Sequence, residues 1–292
     1  MLIRAVILSL WAVASAFAQL DGVIDLHVHS APDSGPRSID ALEIARMAQR
    51  RGMRALLFKN HYTSTAPLAY LVSQAVPGIE AYGGIVLNRS VGGINPAAVE
   101  HMAKTTGGGG RVVWMPTFDS EHYHRTLEPN PAFVPVSRNG ELLPEVDSVL
   151  SLMAALDLAL ATGHSSPEES LLLIRAASQA GIGRVIVTHP LLPDVGMSIE
   201  LQRQAARLGA FLEYPVALML PPASIAVEEF AGAVRSVGPP HVILTSDLGQ
   251  VLNPVHTDGL TVFLARLREQ GFTRREIDLM TKSNPARFLG LD

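Results

Sequence analysis

Short apolar runs alternate along the chain with longer stretches in which apolar residues recur at helical spacing. The runs cover residues 23–29, 55–59, 81–87, 112–117, 158–162, 185–188, 210–214 and 242–246. Most are almost continuously apolar, as expected of parallel strands that are covered on both faces. Helical patterns fall between them at residues 38–51, 95–104, 144–155, 167–180, 198–208, 226–237 and 259–270. In the first of these, Ile39, Leu42, Ile44, Ala45 and Ala48 form the core stripe, with Ser38 as the expected N-cap. Ser166 is the expected cap of the helix that begins at Pro167, with Glu168 and Glu169 in its first turn. Repeated strand–helix units predict a parallel sheet. Eight of them predict closure as a (β/α)₈ TIM barrel in a single domain.

One segment breaks this rhythm. Residues 119–145 form an insertion after strand four, rich in proline, with Asn139-Gly140 between short apolar runs as a hairpin-turn signal. An insertion there is expected over the face that carries the carboxyl ends of the strands. The glycine run 107–110 precedes strand four and reads as a turn on the opposite rim, not a phosphate cradle.

Composition narrows the picture further. A basic start, an apolar run from Ala5 and the ending Ala16-Phe17-Ala18 predict a signal peptide over residues 1–18. The apolar run is too short to serve as a stable membrane anchor. An exported protein follows, periplasmic or secreted, with the barrel over residues 19–292. The chain has no cysteine, so thiolate ligands, thiol nucleophiles and disulfides are excluded. A net charge of −4 without a Lys/Arg cluster argues against nucleic acid as a partner. A small molecule remains as the expected partner. Whether the chain forms a homo-oligomer is left open.

Histidines and carboxylates at the strand ends carry the chemistry. His27 and His29 lie two apart on the first strand and so project from one face, while Asp25 shares their parity one layer deeper. His164 ends the fifth strand, His189 the sixth, and Asp247 the eighth. Imidazoles and a carboxylate converging at one barrel mouth predict a divalent metal site: zinc first, with manganese, iron or nickel as alternatives. Asp25 is expected to orient an imidazole. Asp119, His122 and His124 are lesser candidates in the insertion. Arg89, Glu213 and Tyr214 are further pocket candidates.

This ordered set resembles the amidohydrolase superfamily, (β/α)₈ enzymes with His-x-His on strand one, single histidines on strands five and six, and aspartate on strand eight. The closing Asn284-Pro285-Ala286-Arg287-Phe288-Leu289-Gly290 is similar to that superfamily's terminal helix. The resemblance implies that His27, His29, His164, His189 and Asp247 hold one or two metal ions. Many such enzymes also supply a carboxylated lysine or a glutamate from strand four, which here ends Trp114-Met115-Pro116-Thr117 with no lysine. Lys59, at the end of strand two with His61 beyond it, offers either a bridging carbamate or an unmodified ammonium. The ammonium would suit an anionic substrate or stabilise an oxyanion. The expected reaction is hydrolysis of a small amide, cyclic imide, lactone or ester, with Asp247, Lys59 and His189 as catalytic residues. Decarboxylation or lyase chemistry on the same scaffold is the alternative, and a non-catalytic exported metal-binding protein is the third.

Overall fold

Eight strands pair in the order β1 (Ile24–Val28), β2 (Ala55–Phe58), β3 (Glu80–Val86), β4 (Gly110–Trp114), β7 (Ala159–Ala161), β8 (Val185–Val187), β9 (Phe211–Pro215) and β10 (Val242–Thr245). Every neighbouring pair is parallel. The computed structural model describes residues 20–127, 129 and 132–291, so the expected leader over residues 1–18 lies outside them. The circle is completed at the carboxyl ends of the first and last strands. There the His29 amide donates to Leu248 O at 3.0 Å and the Asp247 amide to His27 O at 3.0 Å.

Helices Ala41–Arg50, Ala66–Ala75, Pro96–Ala103, Pro144–Ala155, Pro167–Ala180, Ile199–Arg207 and Val227–Val237 connect successive barrel strands, and His256–Glu269 follows the last. The helix Ala66–Ala75 has little polar contrast around its circumference, and the periodicity did not reveal it. The cap of Ala41–Arg50 is Asp40, which accepts from the Glu43 amide at 2.8 Å; Ser38 is not the cap. Ser166 and Glu169 form the reciprocal cap expected at Pro167–Ala180. His256–Glu269 starts three residues before Gly259, with His256 and Thr257 buried.

Two apolar layers enclose the strands. Leu26, Leu57, Trp114, Ile186, Phe211 and Ile243 belong to one cluster drawn from all around the barrel, its interior. Phe288 joins this cluster from the terminal helix Asn284–Leu289. It meets Phe211, the first residue of β9, at 6.4 Å between ring centroids, so the terminal helix plugs the amino end of the barrel. Val28, Phe58, Met115, Val187, Leu212 and Leu244 face the helices instead.

Strand β1 does not alternate regularly. Leu26 faces the interior while Val28 packs in the outer layer with its pairing register shifted, a bulge between Asp25 and Val28. Such a bulge re-aims the side chains beyond it, here His27 and His29 at the barrel mouth. The insertion contains helix Glu121–Thr126 and the hairpin β5 (Ser137–Arg138) to β6 (Glu141–Leu142), turned by Asn139 and Gly140 with φ of 53° and 82°. Ser120, at its start, donates to His164 O at 2.8 Å, which ties the insertion to the end of β7.

Gly163 precedes His164 with φ 62°, and a Cβ there would lie 2.2 Å from Met115 O. Gly163→Ala is expected to cost about 3 kcal/mol of unfolding free energy, from the clash added to the left-handed backbone. Gly108→Ala has a similar φ of 64° in open space, so it isolates the backbone effect at about 1 kcal/mol. Urea denaturation of the two variants checks the difference. Equal losses would contradict the packing described for the end of β7.

Candidate metal centre

The bulge in β1 and the seam with β10 bring three ligand atoms together. His27 Nε2 is 3.1 Å and His29 Nε2 3.3 Å from the same oxygen, Oδ1 of Asp247. Across the mouth, the His164 and His189 ring centroids are 5.0 Å apart, and His189 lies 6.0 Å from His27. Lys59 Nζ is 3.0 Å from His27 Nε2 and 5.7 Å from the centroid of Trp114 below it. All six residues predicted as metal ligands therefore meet in one place. Five of them, His29, Lys59, His164, His189 and Asp247, border a cavity of about 300 Å³, to which Arg37, Phe118, Leu192, Asn253 and Pro222 also contribute; His27 lies just behind it. His189 and Asp247 hold positive φ of 24° and 49°, conformations that non-glycine residues keep only under local constraint.

His27 is fixed from behind by Glu213 on β9. Glu213 Oε1 lies 2.8 Å from His27 Nδ1 and accepts from the Thr245 hydroxyl at 3.0 Å, while Oε2 accepts from the His189 amide at 3.3 Å. Burial pushes the Glu213 carboxyl up, but the adjacent His27 more than offsets this and holds it below its usual value. An ionised Glu213 has only acceptors to offer, so His27 Nδ1 carries a proton towards it and Nε2 is the nitrogen that faces Asp247 Oδ1, 3.1 Å away. An imidazole nitrogen and a carboxylate oxygen this close call for a proton or a cation between them.

The rest of the site is consistent with that demand. Burial lowers His29 to about 3 and holds His164, His61 and His189 below their ordinary values, so these rings are neutral at pH 7. Burial also raises Asp247, but His27 and His29 beside it keep its carboxyl well below the usual carboxylate range. Nδ1 of His29, His164 and His189 is buried without a hydrogen-bond partner among the described residues. Neutral imidazoles, an ionised carboxylate and unpartnered buried nitrogens form a donor set that fits a divalent cation of the zinc type. Burial lowers Lys59 as well, which favours its uncharged amine.

Several expected roles change. Asp25 does not orient an imidazole. Its Oδ1 accepts from the Ser246 amide at 3.0 Å and the His27 amide at 3.2 Å, so it stitches the β1–β10 seam. Burial raises its carboxyl to about 6. Glu213 lies beneath His27 and does not border the cavity; Tyr214 is buried, donates to Gln202 Oε1 and packs on Phe230. Arg89 is exposed and borders a different groove, with Gly92 and Glu145, because the turn Arg89–Val91 carries it outward. Asp119 accepts from the Arg89 amide at 2.9 Å, away from the ligand atoms. His122 borders a separate cavity beside the hairpin, and His124 packs against Tyr123 with ring centroids 5.7 Å apart. His61 stacks on His29 at 5.0 Å and lies 2.9 Å from Thr117 Oγ1.

A model described as a family of unknown function, DUF6282, matches residues 22–213. The chain belongs to this family. No curated protein sequence matches it. Its fold is similar to several solved barrels. One is described as dipeptidase AC, a metallopeptidase, at 10% identity and TM-score 0.64, with 92% of this chain and 98% of that one covered. Another is an organophosphate hydrolase engineered from a promiscuous lactonase, at 17% identity and TM-score 0.61, covering 94% and 97%. A third is an amidohydrolase from Burkholderia multivorans with bound zinc, at 15% identity and TM-score 0.57, covering 92% and 99%. At these identities the likeness establishes the fold, the barrel shared by amidohydrolase structures.

Sequence reasoning missed Arg37 and Asp194 in this DUF6282 chain. Both lie on loops beyond strand ends, so no strand pattern pointed to them. Arg37 Nε donates to Asp33 Oδ2 at 2.6 Å, which steadies its guanidinium at the cavity.

Metal-depleted protein is expected to lose stability as pH falls below about 6.5. Unfolded histidines protonate near 6.5, whereas folded His29 does so only near 3 and His256, lowered by burial, near 4. Each such group contributes a slope of up to about 1.4 kcal/mol per pH unit in that window. Asp247 and Glu213, depressed in the fold, act in the same direction at lower pH. Asp25, raised to about 6, opposes them singly between that value and 3.8. Urea midpoints at pH 7, 6 and 5 should fall in sequence; a flat series would contradict neutral burial of the rings.

Glu213→Gln replaces an ionised acceptor by an amide and frees the His27 tautomer. Zinc affinity measured by competition with a chromogenic chelator is expected to drop about 10–100-fold. Unchanged affinity would separate Glu213 from the centre.

Proposed function

We propose that the chain is a metal-dependent hydrolase that adds water to the sp² carbon of a small amide, cyclic imide, lactone or ester. The observation that carries this reading is the convergence of His27 Nε2 and His29 Nε2 on Asp247 Oδ1, at 3.1 and 3.3 Å, beside a cavity that His164 and His189 also border. The likeness of the barrel to dipeptidase, lactonase-derived and amidohydrolase structures supports it.

His27, His29 and Asp247 would hold the ion, with zinc proposed as the native metal. A bound divalent cation would lower the pKa of water towards neutrality and polarise the carbonyl under attack. The chain's own groups supply the remainder. Asp247, held ionised, accepts the proton of the attacking water and returns it to the leaving nitrogen or oxygen. Glu213 keeps His27 in one tautomer throughout. Lys59, as a free amine or a protonated one, donates to the developing oxyanion. Arg37 faces the cavity as a cation that suits a carboxylate on the substrate. A volume of about 300 Å³ restricts the substrate to a small molecule.

The test is turnover in ¹⁸O-labelled water against panels of N-acyl amino acids, lactones, cyclic imides and esters. Product carrying one ¹⁸O atom, lost after chelation and restored by zinc or manganese, is the expected result. Asp247→Asn should then lower kcat by about 10²–10⁴-fold. Carbon dioxide release without label incorporation would overturn hydrolysis in favour of a decarboxylase.

A further inference from the structure

The proposed mechanism makes no use of the second carboxylate at the cavity. Asp194 lies five residues beyond His189 in a loop closed tightly on itself. The Leu192 amide donates to His189 O at 3.0 Å, Gly196 to Leu192 O at 2.8 Å and Met197 to Pro190 O at 2.8 Å. Val195 and Met197 are buried, so the loop is anchored, and Asp194 borders the same cavity as the two histidines. One donor atom from each of His164, His189 and Asp194 lies within 4.8 Å of the others. His164 Nδ1 is 3.6 Å from Asp194 Oδ2, too long for a hydrogen bond. Two ligands of a tetrahedral zinc ion with bonds of about 2.05 Å stand roughly 3.4 Å apart, close to this spacing. Both rings are almost wholly buried, at 1% and 2% exposure, and Nδ1 of each lacks a hydrogen-bond partner among the described residues.

Building on the metal-dependent reading of the same cavity, we infer that His164, His189 and Asp194 form a second divalent-cation site that needs no carboxylated lysine. Strand β4 ends at Trp114 and supplies no ligand from its carboxyl end; the indole ring there lies under Lys59 instead. Lys59 stays an amine, its Nζ set beside the Trp114 ring and not between the two groups of ligands. Asp194 takes over as the carboxylate of the second ion and comes from a loop, not from a strand.

Metal content by inductively coupled plasma mass spectrometry tests this on the full chain reconstituted with zinc. A parallel titration with cobalt(II) follows visible absorption. Wild type should hold two equivalents, and Asp194→Ala one, with the second site weakened by more than 10³-fold. Lys59→Met, and wild type prepared without bicarbonate, should keep both. Asp194 lies in a partly exposed loop, so its removal leaves the barrel folded, as circular dichroism would check. Weakening by only 10–100-fold would make Asp194 a positioning residue for His164 and overturn the ligand assignment. A fall to one equivalent in Lys59→Met, or on bicarbonate removal, would overturn the independence from carbamate. One equivalent in wild type would overturn the second site and leave the hydrolase reading intact, whereas none would remove both.

Discussion

When β10 pairs with β1, the Asp247 amide donates to His27 O and the His29 amide to Leu248 O. These bonds complete the barrel at its carboxyl end, and they also fix the candidate metal centre. Without them Asp247 would have no defined position relative to the two imidazoles, which lie more than two hundred residues earlier. The seam is reinforced by Asp25, whose buried carboxylate accepts from the Ser246 and His27 amides, and by the Ser246 hydroxyl, which donates to His27 O at 3.0 Å. Architecture and chemistry therefore share one set of hydrogen bonds.

Burying this many polar groups is unfavourable unless they satisfy one another. Glu213 shows how the fold does so. It receives the His27 ring, the Thr245 hydroxyl and the His189 amide, and so links three strand ends through one carboxylate. The opposite faces of the rings are left aimed at Asp247 and the cavity. The left-handed backbone at His189 and Asp247 shows that local constraint, and not relaxed geometry, sets the positions of these two side chains at the mouth.

Much of this was legible in the sequence. All eight barrel strands were readable because parallel strands covered on both faces are continuously apolar, and the Asn139-Gly140 hairpin because its turn needs positive φ at both residues. His27, His29, Lys59, His164, His189 and Asp247 were readable because strand ends of a barrel must converge. What stayed hidden depends on non-local geometry. The bulge in β1 leaves no mark in an apolar run, so Asp25 was given the parity of the histidines when its carboxylate in fact serves the backbone. Glu213 could not be placed behind His27 without knowing that β9 lies across from it. Asp194 and Arg37 sit in loops, where no periodicity fixes direction, and Arg89 turns outward for the same reason.

The central claim is that His27, His29 and Asp247 together bind a catalytic cation. Anomalous diffraction at the zinc absorption edge, from crystals of zinc-reconstituted protein, tests it most directly. The account predicts a peak within bonding distance of His27 Nε2, His29 Nε2 and an Asp247 carboxylate oxygen. Full zinc loading with anomalous peaks only at surface residues, and none among these three, would contradict it.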